Sequence, residues 1–332
     1  MSYRGFVGID ISKKKFDTCV LVPGRAKCFK KSFSNTLAGC QQLLNWLTRQ
    51  VKVAPGDCLI CMEHTGVYTL PLINALSQAK LNFVVESPLR LKRSIGIVRT
   101  KSDQADARTI AFYARNHQSQ LRCYQFQGKH WLKLRTLLQY REKLLKTKGQ
   151  FSTSCNELSE FTEEFVNAEI LMDWKVFKQD LEARIKKVEK ALKKLVAQDE
   201  LLKTNFKLLT SITGIGPITA YNMLVCTKNF TAFDCPRAFG CYAGTAPFEF
   251  TSGSSIKKRN RVSQIANKRI KAILYEAAWT ASIWDPQIKA YYQRLLEKGK
   301  PKLLIINNIK NKLIARMFAV IKRQAPFVKL AH

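Results

Sequence analysis

The sequence predicts an α/β domain built on a mixed sheet flanked by helices, then a long helical hairpin, then a small mainly helical unit. Three observations point there. Short apolar runs alternate with turn residues up to residue 86, apolar residues recur at helical spacing in a charged background from about 128 to 202, and a glycine-punctuated helix pair follows residue 203. The divisions drawn are 1–125, 126–202 and 203–332.

The first strand, Phe6-Val7-Gly8-Ile9-Asp10-Ile11, is apolar except for one aspartate. An ionised group in a buried strand is costly unless it meets a cation, which makes Asp10 a candidate metal ligand. A strand over about 16–22, the turn Pro23-Gly24 and a strand over 26–33 complete a meander. Asn35 is placed to cap a helix whose apolar positions Leu37, Cys40, Leu44, Leu47 and Val51 share one face. After Pro55-Gly56 comes Cys58-Leu-Ile-Cys-Met-Glu63, apolar until it too ends in a carboxylate. A helix over 68–79 and a strand over 82–86 follow. Ser102 can then cap a helix on whose first turn Asp103 and Asp106, three apart, share a face. Acids favour helix N-termini for dipole reasons alone, so this pair is not specific by itself.

Charge gives the pair its weight. The chain carries 56 Lys+Arg against 24 Asp+Glu, a net +32, which calls for a polyanionic partner and puts nucleic acid first. No apolar run is long enough to span a membrane, and no signal peptide is visible at the N-terminus. Through residue 141 the only carboxylates are Asp10, Asp17, Asp57, Glu63, Glu86, Asp103 and Asp106. Two at strand ends and two on one helical turn look placed, and their mutual repulsion calls for divalent cations. Hard oxygen ligands suit Mg²⁺ or Mn²⁺, and two such ions can clamp both oxygens of a phosphodiester displacement. The ten cysteines are scattered and read as reduced core residues, Cys58 and Cys61 included.

Further along, Trp131, Leu134, Leu138 and Leu145 form one helical stripe, and Phe177, Leu181, Ile185, Val188, Leu192 and Leu195 a second, with a loop expected near 160–173. The stripes fit either a packed pair within one chain or a dimerisation arm. Beyond them, Gly214-Ile215-Gly216 joins two helices. Gly214 and Gly216 could let backbone N–H groups approach a phosphate, although a plain helix–helix turn has the same form. Finally a hydroxyl-rich loop ending in Ser252, Ser254 and Ser255 precedes the basic run Lys257, Lys258, Arg259 and Arg261. Such a loop can set a serine nucleophile against a phosphate with cations offsetting the developing charge, or it can be a solvated turn.

Taken together, G-I-D-I-S-K at 8–13, M-E-H-T-G-V-Y at 62–68, K-S-D-Q-A-D-A at 101–107, G-I-G-P-I-T-A at 214–220 and Y-A-G-T-A-P…T-S-G-S-S at 242–255 resemble the DEDD transposases of bacterial insertion sequences. The resemblance spans nearly the whole chain, in the family's order. It implies a RuvC-like first domain of RNase H fold, with Asp10, Glu63, Asp103 and Asp106 as the metal-binding tetrad. It also implies Ser252 as a nucleophile forming a phosphoserine link to DNA, a bridge RNA as guide, and a homodimer joined through the helical arm and assembling to a tetramer. A bacterial cytoplasmic protein working at the nucleoid is the matching expectation. Two other readings fit the residues: a metal-dependent, structure-selective nuclease of junction-resolvase type in which water attacks, and a non-enzymatic basic scaffold.

Overall fold

In the computed structural model, which describes residues 3–94, 103–125, 128–161, 164–252 and 256–328, the apolar strand at the N-terminus is the centre of a five-stranded sheet. The strands are β1 (Gly5–Ile11), β2 (Lys15–Leu21), β3 (Phe29–Ser34), β4 (Cys58–Glu63) and β5 (Phe83–Glu86), in the spatial order β3-β2-β1-β4-β5. The first three pair antiparallel as a meander, while β4 and β5 add to β1 in parallel. Parallel pairs need crossovers, and the chain supplies α1 (Leu37–Trp46), continued as a wider π turn to Val51, and α2 (Leu70–Gln78). Helices α3 (Pro88–Ser94) and α4 (Asp103–Asn116) follow β5.

Alternation along the strands gives each face its own core. Val7, Ile9, Ile11, Ile60 and Met62 join Leu43, Trp46, Leu72 and Leu76 of α1 and α2. Phe6, Leu59, Cys61 and Val84 join Ile110, Tyr113 and Ala114 of α4. This mixed sheet, in this order and covered on both faces, fits an RNase H-like domain.

The cap of α1 differs from the expectation. Thr36, in extended conformation, accepts the Gly39 N–H at 3.2 Å, while Asn35 turns away and its amide donates to the carbonyls of Ser12 and Tyr68 at 3.1 and 2.9 Å. Asn35 therefore ties the turn after β1 to the segment after β4. Ser102, the expected cap of α4, lies outside the described residues.

The chain divides into compact units at 1–126 and 127–332. The second begins with α5 (Gly128–Phe161) and α6 (Glu164–Ala197), each 34 residues and so about 50 Å long. They run antiparallel: Arg141 pairs with Glu189 and Lys148 with Glu182, both at 2.8 Å, and Phe151 meets Trp174 and Phe177. The loop expected near 160–173 is instead mostly helix, because Glu164–Asp173 contains no glycine or proline to stop it.

After these come α7 (Glu200–Thr210), α8 (Pro217–Cys226), α9 (Pro236–Ala243), the hairpin β6 (Pro247–Ser252) and β7 (Ile256–Val262), α10 (Lys268–Trp284), α11 (Pro286–Glu297) and α12 (Lys302–Arg323). One apolar cluster runs from Leu134 and Leu181 through Leu208, Phe239 and Leu274 to Leu313, so the long pair shares the core of the helices that follow it. Within that unit Asp285 is buried, caps α11 through the Ile288 N–H, and takes Arg316 at 2.6 Å. All ten cysteines are free thiols; burial pushes Cys58 and Cys61 up to about 12, as suits packing residues. Among the described residues no helix is long and apolar enough to cross a membrane.

Candidate active site

Gly8 decides how near the acidic residues of α4 come to Asp10. It sits two residues before Asp10 on the face of β1 turned to α4, and a methyl built on it would fall 2.2 Å from the Ala107 carbonyl oxygen and 2.2 Å from the Ala111 nitrogen. The backbone of α4 thus lies directly on β1, with Ala107 and Ala111 fully buried beneath it. Asp103 and Asp106 occupy the turn of α4 before Ala107, beside the end of β1 that carries Asp10. Glu63 ends β4, whose register with β1 matches Met62 to Ile9, on the same face as Leu59 and Cys61. Asp17 stands opposite Asp10 across the β1–β2 pair.

A specific result follows. Gly8→Ala presses a methyl against backbone rather than a yielding side chain, so α4 must lift. Thermal unfolding is expected to show a loss of about 1–3 kcal/mol, and any activity that depends on Asp103 and Asp106 is expected to fall much further, because the turn bearing them moves with the helix. Wild-type stability and activity in that variant would refute the close approach.

The electrostatics agree with convergence. Burial first, then the charges of Asp106, Asp103, Glu63 and Asp17, push the Asp10 carboxyl up to about 6. Glu63 is also raised, by burial and by Asp106, against the lowering influence of Lys92. Asp17 is buried, takes a hydrogen bond from the Ser32 hydroxyl, and is held by the Lys15 ammonium at 3.0 Å. The same ammonium reaches Asp103 at 3.1 Å, and bonding to Asp17 and Asp103 raises its own pKa. Among the described residues no three histidine, cysteine or acidic side chains stand close enough to form a ligating group, so gripping an ion requires the carboxylates to draw inward. Their chemistry fits that ion. All are hard oxygen donors, and a divalent cation relieves the repulsion that raises Asp10.

Sequence reasoning counts Asp17 among the scarce acids but gives it no role, and it sets Lys15, with Lys13 and Lys14, aside in favour of a metal ion as the partner of Asp10. The signal for both is the hairpin register, which matches Asp10 to Asp17.

The other expected site residues lie in the second unit. Ser252 is the last residue of β6, paired in register with Ile256, at the tip of a hairpin whose residues 253–255, Ser254 and Ser255 among them, lie outside the described residues. The stretch expected as a hydroxyl-rich loop is therefore strand up to Ser252, and the basic run is the opposing strand, Lys257 facing Thr251, Lys258 facing Phe250 and Arg261 facing Phe248. Arg259 lies within the same strand, β7. Gly214, at φ +92°, has its backbone against α10, where an added methyl would lie 2.6 Å from the Ala277 carbonyl. Gly216 precedes α8 and borders open space.

Known proteins match this chain in both units. A family model described as a transposase matches residues 7–159, and a second, described as the transposase of the IS116/IS110/IS902 family, matches residues 206–293. The chain is 27% identical to the pilin gene-inverting proteins of Moraxella bovis and of Moraxella lacunata, over 99% of its own length and 99% of theirs. It is also 29% identical over 114 residues to the insertion element IS110 uncharacterized 43.6 kDa protein of Streptomyces coelicolor, covering 34% of this chain and 28% of that one.

Proposed function

We propose, from the premise that this chain belongs to the IS116/IS110/IS902 transposases and is a DNA transposase or recombinase, that it breaks and rejoins DNA with two sets of residues: the carboxylates around Asp10 and the hydroxyl of Ser252. The observation that carries the reading is the close seating of α4 on β1 at Gly8, which brings the turn of Asp103 and Asp106 to the strand end that carries Asp10. Asp10, Glu63, Asp103 and Asp106 would hold the metal, one or two Mg²⁺ or Mn²⁺ ions. When bound, these ions supply charge stabilisation at a phosphodiester oxygen. Lys15 and Ser32 fix Asp17 beside the tetrad and so orient the floor on which it rests.

At Ser252, attack of the hydroxyl oxygen on phosphorus forms a phosphoserine ester and releases one strand as a free hydroxyl. Attack by another strand's hydroxyl re-forms the DNA backbone and frees the serine. Lys257, Lys258, Arg259 and Arg261, on the strand opposite, would offset charge at the phosphate, and Gly216 would admit a backbone phosphate at the start of α8. The domains assigned are 1–125 for the carboxylates, 126–202 for the arm and 203–332 for the serine. Exposed Met172 and Val176 on α6 suit the arm to pairing between copies, first as a dimer and then a tetramer. A guide RNA would take over base readout, and a net charge of +32 suits a protein working inside such a nucleoprotein. The two Moraxella relatives are named for inverting a pilin gene; with this chemistry, inversion or insertion follows from how the recombining sites are arranged.

The test is recombination of a plasmid carrying both partner sites by the full chain with its co-purified RNA. Chelation is expected to stop it, Mg²⁺ or Mn²⁺ to restore it, and ribonuclease treatment before assembly to abolish it. Recombination that persists under chelation removes the metal from the reading, and persistence after ribonuclease removes the guide.

A further inference from the structure

A cavity of about 260 Å³ lies wholly within the second unit, bordered by the start of α5, the end of α8, the end of α9 and the start of α10. Three cations line it, Arg135, Lys228 and Arg269, with Trp131, Tyr242 and Asn267, and no carboxylate is among its described lining residues. Glu142, outside the lining, holds one amino group of Arg269 at 2.6 Å. Trp131 is 6% exposed, and its buried indole N–H has no hydrogen-bond partner among the described residues. A buried donor left in that state is costly.

Lys228 is set in place by a strained turn. It opens three consecutive non-glycine residues in left-handed conformation, Lys228, Asn229 and Phe230, at φ +48°, +56° and +65°. Side chains favour that conformation poorly and rarely in runs. The turn is tied by the Asn229 N–H to the Leu224 carbonyl at 2.7 Å and by the Phe230 N–H to the Thr227 hydroxyl at 2.9 Å. Burial and the charge of Arg135 hold the Lys228 ammonium below its usual range. Crowded cations around a space too small for a folded partner match a tetrahedral oxyanion.

We propose that this cavity is a pocket for a phosphate group of a DNA strand, held by Lys228, Arg135 and Arg269 beside Trp131. The assignment to DNA rests on the function proposed above; the affinity for phosphate does not.

The full chain labelled with ¹⁵N at its five tryptophans gives indole N–H signals, among which Trp131→Phe identifies the one of interest. Inorganic phosphate, titrated at constant ionic strength, is expected to shift that signal saturably. Lys228→Met, which removes a half-buried cation from beside Arg135, is expected to need at least about tenfold more phosphate, with thermal unfolding measured alongside to show that the variant is folded. A short single-stranded DNA is expected to displace the phosphate, and the same substitution to lower its log–log salt slope by about one. Tighter displacement by a 5′-phosphorylated strand assigns the pocket to a strand end; equal displacement assigns it to an internal phosphodiester. An indole signal that phosphate does not move, or moves equally in Lys228→Met, overturns the pocket even if the chain still binds and recombines DNA. Phosphate binding that no DNA displaces overturns the assignment to DNA.

Discussion

Asp10→Asn is expected to abolish recombination and, near neutral pH, to raise the unfolding temperature of the metal-free chain. The first effect follows from the role proposed for Asp10 as a metal ligand, beside which the charges of Asp106, Asp103, Glu63 and Asp17 act. The second follows from sign. Asp10 titrates at about 6 in the folded chain against the usual 3.8, so folding favours its protonated form. Its stabilising contribution is fully present below about 3.8 and is lost as pH rises through 6, leaving the ionised group a net cost above that. Asparagine keeps the shape and removes the charge. The rise from 3.8 to about 6 bounds the gain at roughly 3 kcal/mol, and partial exposure reduces it to about 1–2 kcal/mol, a few degrees in Tm. Calorimetry in chelator from about pH 3.5 to 8, a range that brackets both protonation states, should show the two proteins converging at the acid end, and Mg²⁺ should raise Tm more for wild type than for D10N. A variant less stable than wild type near neutral pH would mean that Asp10 is a structural acceptor.

Ser252→Ala is expected to remove both strand exchange and the covalent protein–DNA adduct, by roughly three orders of magnitude or more, as loss of a nucleophile does. The substitution deletes one oxygen and leaves the backbone pairing with Ile256 available, so unfolding temperature and DNA affinity should stay near wild type. The measurement is a denaturing gel for protein–DNA adducts on a suicide substrate nicked near the cleavage site, with mass spectrometry of the modified peptide. An adduct that persists at Ser254 or Ser255 moves the nucleophile along the hairpin tip; strand exchange with no adduct returns the chemistry to direct attack by water.

Much of the first unit is legible in the sequence. Strands β1, β4 and β5 read directly from apolar runs, and the acids at their ends and on the first turn of α4 stand out because the region has so few others. Pairing is not legible there. That Asp17 faces Asp10 depends on the hairpin register, and that Asp103 reaches the sheet depends on Gly8 removing a side chain between strand and helix. Neither is a property of a local window of sequence. The cap of α1 falls one residue later than expected because Asn35 and Thr36 are both good caps, and contacts with Ser12 and Tyr68 draw Asn35 elsewhere. Helix α6 starts earlier than its apolar stripe suggests, because a charged, weakly periodic segment looks like a loop until its partner helix is known.

Lys15 gives the acidic cluster a counter-charge tethered to its own backbone, touching Asp17 and Asp103 at once. The domain can therefore close with an ammonium offsetting part of the repulsion among its carboxylates. On the function proposed above, loading would be an exchange of one guest for another, in which the lysine swings out as the ion enters. Shortening or neutralising that side chain should leave a site that folds with more difficulty and fills more readily.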